Sequence, residues 1–146
     1  MIDKRTTELD NILNYIESED ELKDYLAMTL SQETLSFIYY LVTLRLAKNL
    51  KKSVWIEQSD IHRTDAYQIL NGTKTPSRDN ILKLCLGGGF NLEETNRVLT
   101  LEGYNKLYAK DRRDSLLIFC INKGSNLLHT NLFLDKFNQD PLGSID

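Results

Sequence analysis

Apolar residues along this chain recur three and four positions apart, and no long run alternates apolar with polar, so the pattern predicts helices and no sheet. Leu9, Ile12, Leu13 and Ile16 give a first helix over about Thr7–Glu17. Ser18 followed by Glu21 is a capping-box pattern for a second short helix with Leu22, Tyr25 and Leu26 inward. Ser31 or Thr34 caps a longer helix to about Asn49, with Leu35, Ile38, Tyr39, Val42, Leu46 and Leu50 as its apolar set. A short helix from Ser53 to Ser59 follows, then one from about Arg63 to Asn71 that closes at Gly72. Ser77 opens a helix that reaches about Leu86 and ends in Gly87-Gly88-Gly89. Asn91 with Glu94 caps the next, which stops at Gly103. Lys110 or Asp111 opens a helix ending at Gly124, and Ser125 opens the last, with Leu127, Leu128, Leu132, Phe133 and Phe137 as its expected buried face. The expectation is an all-α chain of eight or so helices, with Trp55 in the core.

Composition changes this picture little. At 146 residues, 41% hydrophobic and 27% charged, the chain is long enough to bury a core and ordinary for a globular protein. The longest apolar-rich stretch, Leu35 to Leu50, is interrupted by Thr43, Arg45 and Lys48 and is too short and too charged to span a bilayer. Residues 1–30 contain no apolar leader, and Cys85 and Cys120 stand far apart in apolar surroundings without a CxxC pair. A reducing cytoplasm is the expected location, with both thiols buried and no metal site.

Charge changes it more. The net charge is −3, which speaks against nucleic acid until its distribution is read. Residues 1–36 hold three basic side chains against nine acidic, and residues 84–146 hold seven against eight. Residues 37–83 hold eight basic (Arg45, Lys48, Lys51, Lys52, Arg63, Lys74, Arg78, Lys83) against four acidic. A local positive excess of this kind is the electrostatic footprint of a nucleic-acid-binding face, and equally of a solvated surface.

The segment 53–72, SVWIEQSDIHRTDAYQILNG, gives that excess a shape. Two short helices meet at a tight connection near Asp60-Ile61-His62. Trp55, Ile56, Ile61, Ala66 and Ile69 can share one small core, and Ala66 is small where two helices would approach closely. His62, Arg63, Thr64, Tyr67 and Gln68 are left outward, side chains suited to base edges and phosphates. A helix-turn-helix needs this brief connection, because the first helix crosses the DNA backbone while the second lies in the major groove. The triple glycine lacks the G-x-x-x-x-G-K-[ST] pattern of a phosphate loop, and His62 and His129 belong to no recognisable catalytic constellation. No enzymatic activity and no cofactor are expected.

The stretch from Leu50 to Gly72 and on through Lys74, Pro76, Ser77 and Arg78 resembles the phage-repressor-like (XRE-type) helix-turn-helix family. Ile69 and Gly72 match the Ile-x-x-Gly close of its recognition helix, Pro76-Ser77 its next step, and Ile81, Leu82, Leu84 and Cys85 its core rhythm. The segments RTDAYQILNGTKTPSRDNILKL, LEETNRVLTLEGYNKLY and RRDSLLIFCINKG are similar to small Firmicute-type regulators of that kind, over about residues 35–140. Asp60 stands where the family usually carries a small residue such as glycine, and Lys52 or Ser53-Val54 where it often has glutamine.

The resemblance implies a helix-turn-helix domain over 34–103, flanked by an acidic helical extension over 1–33 and a C-terminal helical extension over 104–146. It implies sequence-specific binding of double-stranded DNA by a bacterial transcriptional regulator, with a recognition helix over about 62–71. Arg63, Thr64, Tyr67 and Gln68, with His62 beside them, are the expected contacts to bases and nearby backbone. Lys51, Lys52, Ser53, Lys74 and Arg78 are the expected phosphate contacts. The outer helices would close the core, pair two copies of the chain or bind a second protein. The alternative function is a protein-interaction adaptor or antitoxin-like module that uses the same fold as a scaffold.

Overall fold

The computed structural model describes residues 18–20, 22 and 32–143. The first expected helix lies outside them. Of the second, Ser18 to Leu22 is touched at its opening turn, where the Leu22 N–H donates to the Ser18 carbonyl at 3.0 Å. Leu22 itself is exposed rather than inward. Seven further helices have defined bounds among the described residues: α1 (Gln32–Ala47), α2 (Lys52–Gln58), α3 (Arg63–Leu70), α4 (Arg78–Gly87), α5 (Leu92–Leu101), α6 (Arg112–Asn122) and α7 (Leu127–Lys136). No strand occurs among them. No helix is long and apolar enough to cross a membrane.

Local chemistry sets these boundaries. The Ser77 side chain accepts from the Asn80 N–H, Asn91 and Glu94 complete a reciprocal capping box, and Asp111 accepts from Asp114 N–H, as the sequence predicts. The last helix is capped by Asn126, which accepts from the His129 N–H, one residue beyond the expected Ser125. At the other end of α1, Asn49 takes φ 52, and the Leu50 N–H reaches back to the Arg45 carbonyl at 3.0 Å. Asparagine tolerates this left-handed stop better than most residues.

The core is built around α4, which packs against α2, α5 and α7 and buries Ile81, Leu82, Leu84, Cys85 and Leu86. Trp55 of α2 lies against it with 1% of its surface exposed, and its indole N–H donates to the Leu84 carbonyl at 2.8 Å. That bond satisfies the one polar atom of a large buried ring. Close approach at the end of α4 depends on Gly87. A Cβ there would fall 2.7 Å from the Ser59 nitrogen and 2.8 Å from its Cα, closer than real Cβ atoms come. Gly87 therefore lets the end of α4 lie directly under the end of α2.

Two faces differ from the sequence reading. On α1 the buried residues are Phe37, Ile38, Leu41 and Leu44, while Tyr39, Val42 and Leu46 are half-buried. This helix is apolar nearly all round, so periodicity alone does not select its inner face. On α7 the buried stripe is Leu127, Thr130 and Leu134, whereas Leu128, Leu132 and Phe137 are exposed. Thr130 can be buried because its hydroxyl donates to the Asn126 carbonyl at 2.8 Å.

The C-terminal helices share the core, contributing Leu117, Ile121, Leu127 and Leu134. They are also tied to α4 by ions. Arg78 forks onto Asp114 with bonds of 3.0 and 2.9 Å, and Arg113 forks onto Asp79 with bonds of 2.9 and 3.0 Å. Burial alone would raise both carboxyls. The paired guanidiniums, with N–H groups of Tyr108 on Asp114 and Gly143 on Asp79, outweigh it and hold both below the usual carboxylate range.

Candidate nucleic-acid interface

The connection between α2 and α3 is Ser59-Asp60-Ile61-His62. Ser59 is fully buried, with its hydroxyl donating to the Trp55 carbonyl at 2.8 Å. Asp60 takes φ 51, the left-handed conformation that glycine adopts most readily. Ile61 turns inward, and His62 caps α3, its Nδ1 accepting from the Thr64 N–H at 3.3 Å. The chain therefore reverses in four residues, with apolar and capping groups fixing each step.

Helix α3 is two-sided. Ala66, Ile69 and Leu70 are buried, while Arg63, Thr64 and Gln68 are exposed with His62 beside them. At 100° per residue, Arg63, Tyr67, Thr64 and Gln68 fall within an arc of about 140°. Tyr67, half-buried, holds the middle of this face. Lys52 Nζ lies 4.4 Å from its ring centroid and the Arg63 guanidinium 5.5 Å, so one ring receives two cations. Arg63 lies over this ring, and no ion pair with Asp60 forms among the described residues.

The expected phosphate contacts divide. Lys51 and Ser53 are exposed at the start of α2; both line a cleft with Tyr67, and Ser53 also borders a neighbouring hollow with Arg63. Lys52 is mostly buried, with its stem covered and its ammonium on Tyr67. Lys74 is engaged by Asp65 of α3 at 2.8 Å, and this direct hydrogen bond holds that carboxyl below the usual carboxylate range. Arg78 is not brought to this face. Both its terminal nitrogens are committed to Asp114, and one also donates to the Asn105 carbonyl at 3.3 Å. A guanidinium held in one two-pronged fork by Asp114 of α6 is a structural tie, which the Pro-Ser-Arg string does not reveal.

One contributor was missed from the sequence. Arg45, deep in α1, walls the same cleft as Lys51, Lys52 and Tyr67, and its Nη1 donates to the Leu50 carbonyl at 3.4 Å. It reads as an interruption of an apolar run because the left-handed stop at Asn49 is what folds the chain back beside it. Ser18 and Asp20 also border this cleft. Glu57 and Asp60 border the neighbouring hollow with Arg63 and Tyr67, so the face is basic at one end and mixed at the other.

The two cysteines are buried away from this surface, and burial pushes the Cys85 thiol up to about 12. Such a thiol is a small apolar filler rather than a nucleophile. Among the described residues no group of three or more histidine, cysteine or carboxylate side chains could hold a metal ion. No protein-family model, curated protein or solved structure matches the chain.

Proposed function

We propose that this chain is a sequence-specific DNA-binding transcriptional regulator of the phage-repressor-like kind, in which α2 and α3 are the helix-turn-helix and α3 enters the major groove. The observation that carries the reading is the outward face of α3. Its inner side is anchored by Ala66, Ile69 and Leu70, and its outer side offers Arg63, Thr64, Tyr67 and Gln68 on a short, rigidly joined helix. A guanidinium fits a guanine edge in two prongs and a carboxamide fits adenine, so Arg63 and Gln68 are the base-reading residues. Lys51, Ser53 and Lys52 flank them on the side where the DNA backbone would pass. Two free, buried thiols suit the reducing cytoplasm in which such a regulator works.

Selection of bound fragments from a pool of random duplexes tests this directly. A defined motif is expected to be enriched, and Arg63→Ala is expected to weaken binding to it by about 1–3 kcal/mol and relax preference at one position. Loss of affinity that is uniform across sequences would assign Arg63 to phosphate instead. A pool that yields no enriched sequence, with no binding even at low salt, would overturn the reading and leave the interaction-module function in its place.

A second observation favours a protein contact alongside DNA. Phe119 and Phe133 stack at 5.2 Å, Phe137 meets Phe133 edge-on at 4.9 Å, and Leu128 and Leu132 stand on the same helix, 66% and 59% exposed. A second copy of the chain seated there would present two recognition helices to two half-sites.

A further inference from the structure

The chain contains one helix-pair unit twice. Residues 78–108 and 113–143 align at a constant offset of 35, with eleven of 31 positions identical. The structure repeats with the sequence. Asn91 caps α5 as Asn126 caps α7, and Gly89 and Gly124 take φ 67 and 71. The Asn96 side chain accepts from the Leu107 N–H at 2.9 Å, and its counterpart Asn131 accepts from the Leu142 N–H at 2.8 Å. The units also hold each other reciprocally. Arg78 and the Tyr108 N–H of the first donate to Asp114 of the second, and Arg113 and the Gly143 N–H of the second donate to Asp79 of the first. The motif is thus paired with itself about a local two-fold axis.

The two units differ in what covers them. In the first, α2 packs on α4 and α1 on α5, and Ile81, Leu84 and Val98 are wholly buried. Their counterparts in the second are Leu116, Phe119 and Phe133, still apolar but open: Phe119 is 49% exposed and the other two are half-buried. A repeated helical unit buries its apolar faces against neighbours, and a terminal unit ordinarily ends in a polar outer face. This one ends in phenylalanines. We propose that the face of α6 and α7 is a helix-docking surface, the counterpart of the one that seats α1 and α2, and that its occupant is the same face of a second copy. The inference deepens the second-copy reading above and is independent of DNA binding. Pairing with its own kind is what this unit already does inside the chain. A face that meets itself about a two-fold must be self-complementary, and Asp135 beside Lys136, both exposed, supplies one charge of each sign at its rim.

Two measurements on the full chain test it. In sedimentation, Phe119→Lys is expected to raise the dimer Kd at least about tenfold, because each copy brings the altered residue to the interface. Leu132→Glu, at a residue 59% exposed, is expected to act the same way, so the result does not hang on one variant folding. Val54→Lys, the same kind of change at an exposed apolar residue of α2, is expected to leave the dimer unchanged. In the second measurement a short bismaleimide is added to Leu132→Cys and to Val54→Cys; the native Cys85 and Cys120 are buried. A covalent dimer is expected from Leu132→Cys alone. A monomeric wild type would overturn the second-copy reading and this proposal with it. A dimer indifferent to Phe119→Lys and Leu132→Glu, or weakened equally by Val54→Lys, would place the interface elsewhere. Dissociation by the α6 and α7 variants without the Leu132→Cys link would overturn self-pairing alone, since the face would then sit on a different surface of the second copy.

Discussion

At the scale of single residues, Asp60 carries the geometry of the whole reversal. Its φ of 51 is a conformation that costs an L-residue about 1–2 kcal/mol, with aspartate among the more tolerant. Glycine would remove that cost but lose about 0.5–1 kcal/mol through the added freedom of the unfolded chain. Asp60→Gly is therefore expected to stabilise the protein by up to about 1 kcal/mol, read as a higher urea midpoint. Asp60→Val is expected to destabilise it by about 1–3 kcal/mol, because a β-branched residue is strained there. If both variants unfolded at the wild-type midpoint, the left-handed turn would be absent in solution. The requirement was legible in the sequence as a position where glycine is usual. The residue-level misreadings arise elsewhere. Arg45 and Arg78 are both basic and both central, and a charge in a sequence does not reveal whether its partner is solvent, a carbonyl or a carboxylate 36 residues away.

At the scale of elements, caps and the inner face of α3 were legible, and the inner faces of α1 and α7 were not. Ser77, Asn91 with Glu94, and Asp111 each act on backbone within three residues, so local sequence determines them. The inner face of α7 depends on what α4 and α6 place against it. Choosing its largest apolar residues selects Leu128, Leu132 and Phe137, which are exposed, and overlooks Thr130, which is buried. The joint between α4 and α6 also has a pH signature. Asp79 and Asp114 are held below the usual carboxylate range in the folded chain, so their contribution is present above the unfolded value near 3.8 and is lost as pH falls through the lower folded value. Stability measured by denaturant melts is expected to decline from about pH 5 downward, and the decline is expected to flatten in Asp114→Asn. That variant should also be less stable at pH 7, since it leaves Arg78 without its fork. An unchanged acid profile would show that these pairs do not govern the transition.

At the scale of the whole molecule, one core takes residues from α1 to α5 and from the C-terminal helices α6 and α7 alike. Lys123 and Lys136 lie over Phe119 and Phe137 on the aromatic face of α6 and α7, while Leu128 and Leu132 on α7 stay exposed. Sedimentation is expected to give a dimer at tens of micromolar, and a double change, Leu128→Lys with Leu132→Lys, is expected to return it to monomer while leaving helicity intact. A wild-type monomer, both free and with its selected DNA, would remove the second-copy reading. The crossed pairs of α4 and α6 carry one more consequence. Residues 78–79 and 113–114 are the same dipeptide, Arg-Asp, each opening a helix, and each arginine grips the other's aspartate. The contact has a local two-fold character: one two-letter word, met head to tail by its own repeat. A charge change in either word is therefore expected to be tolerated only when its partner in the other word changes with it.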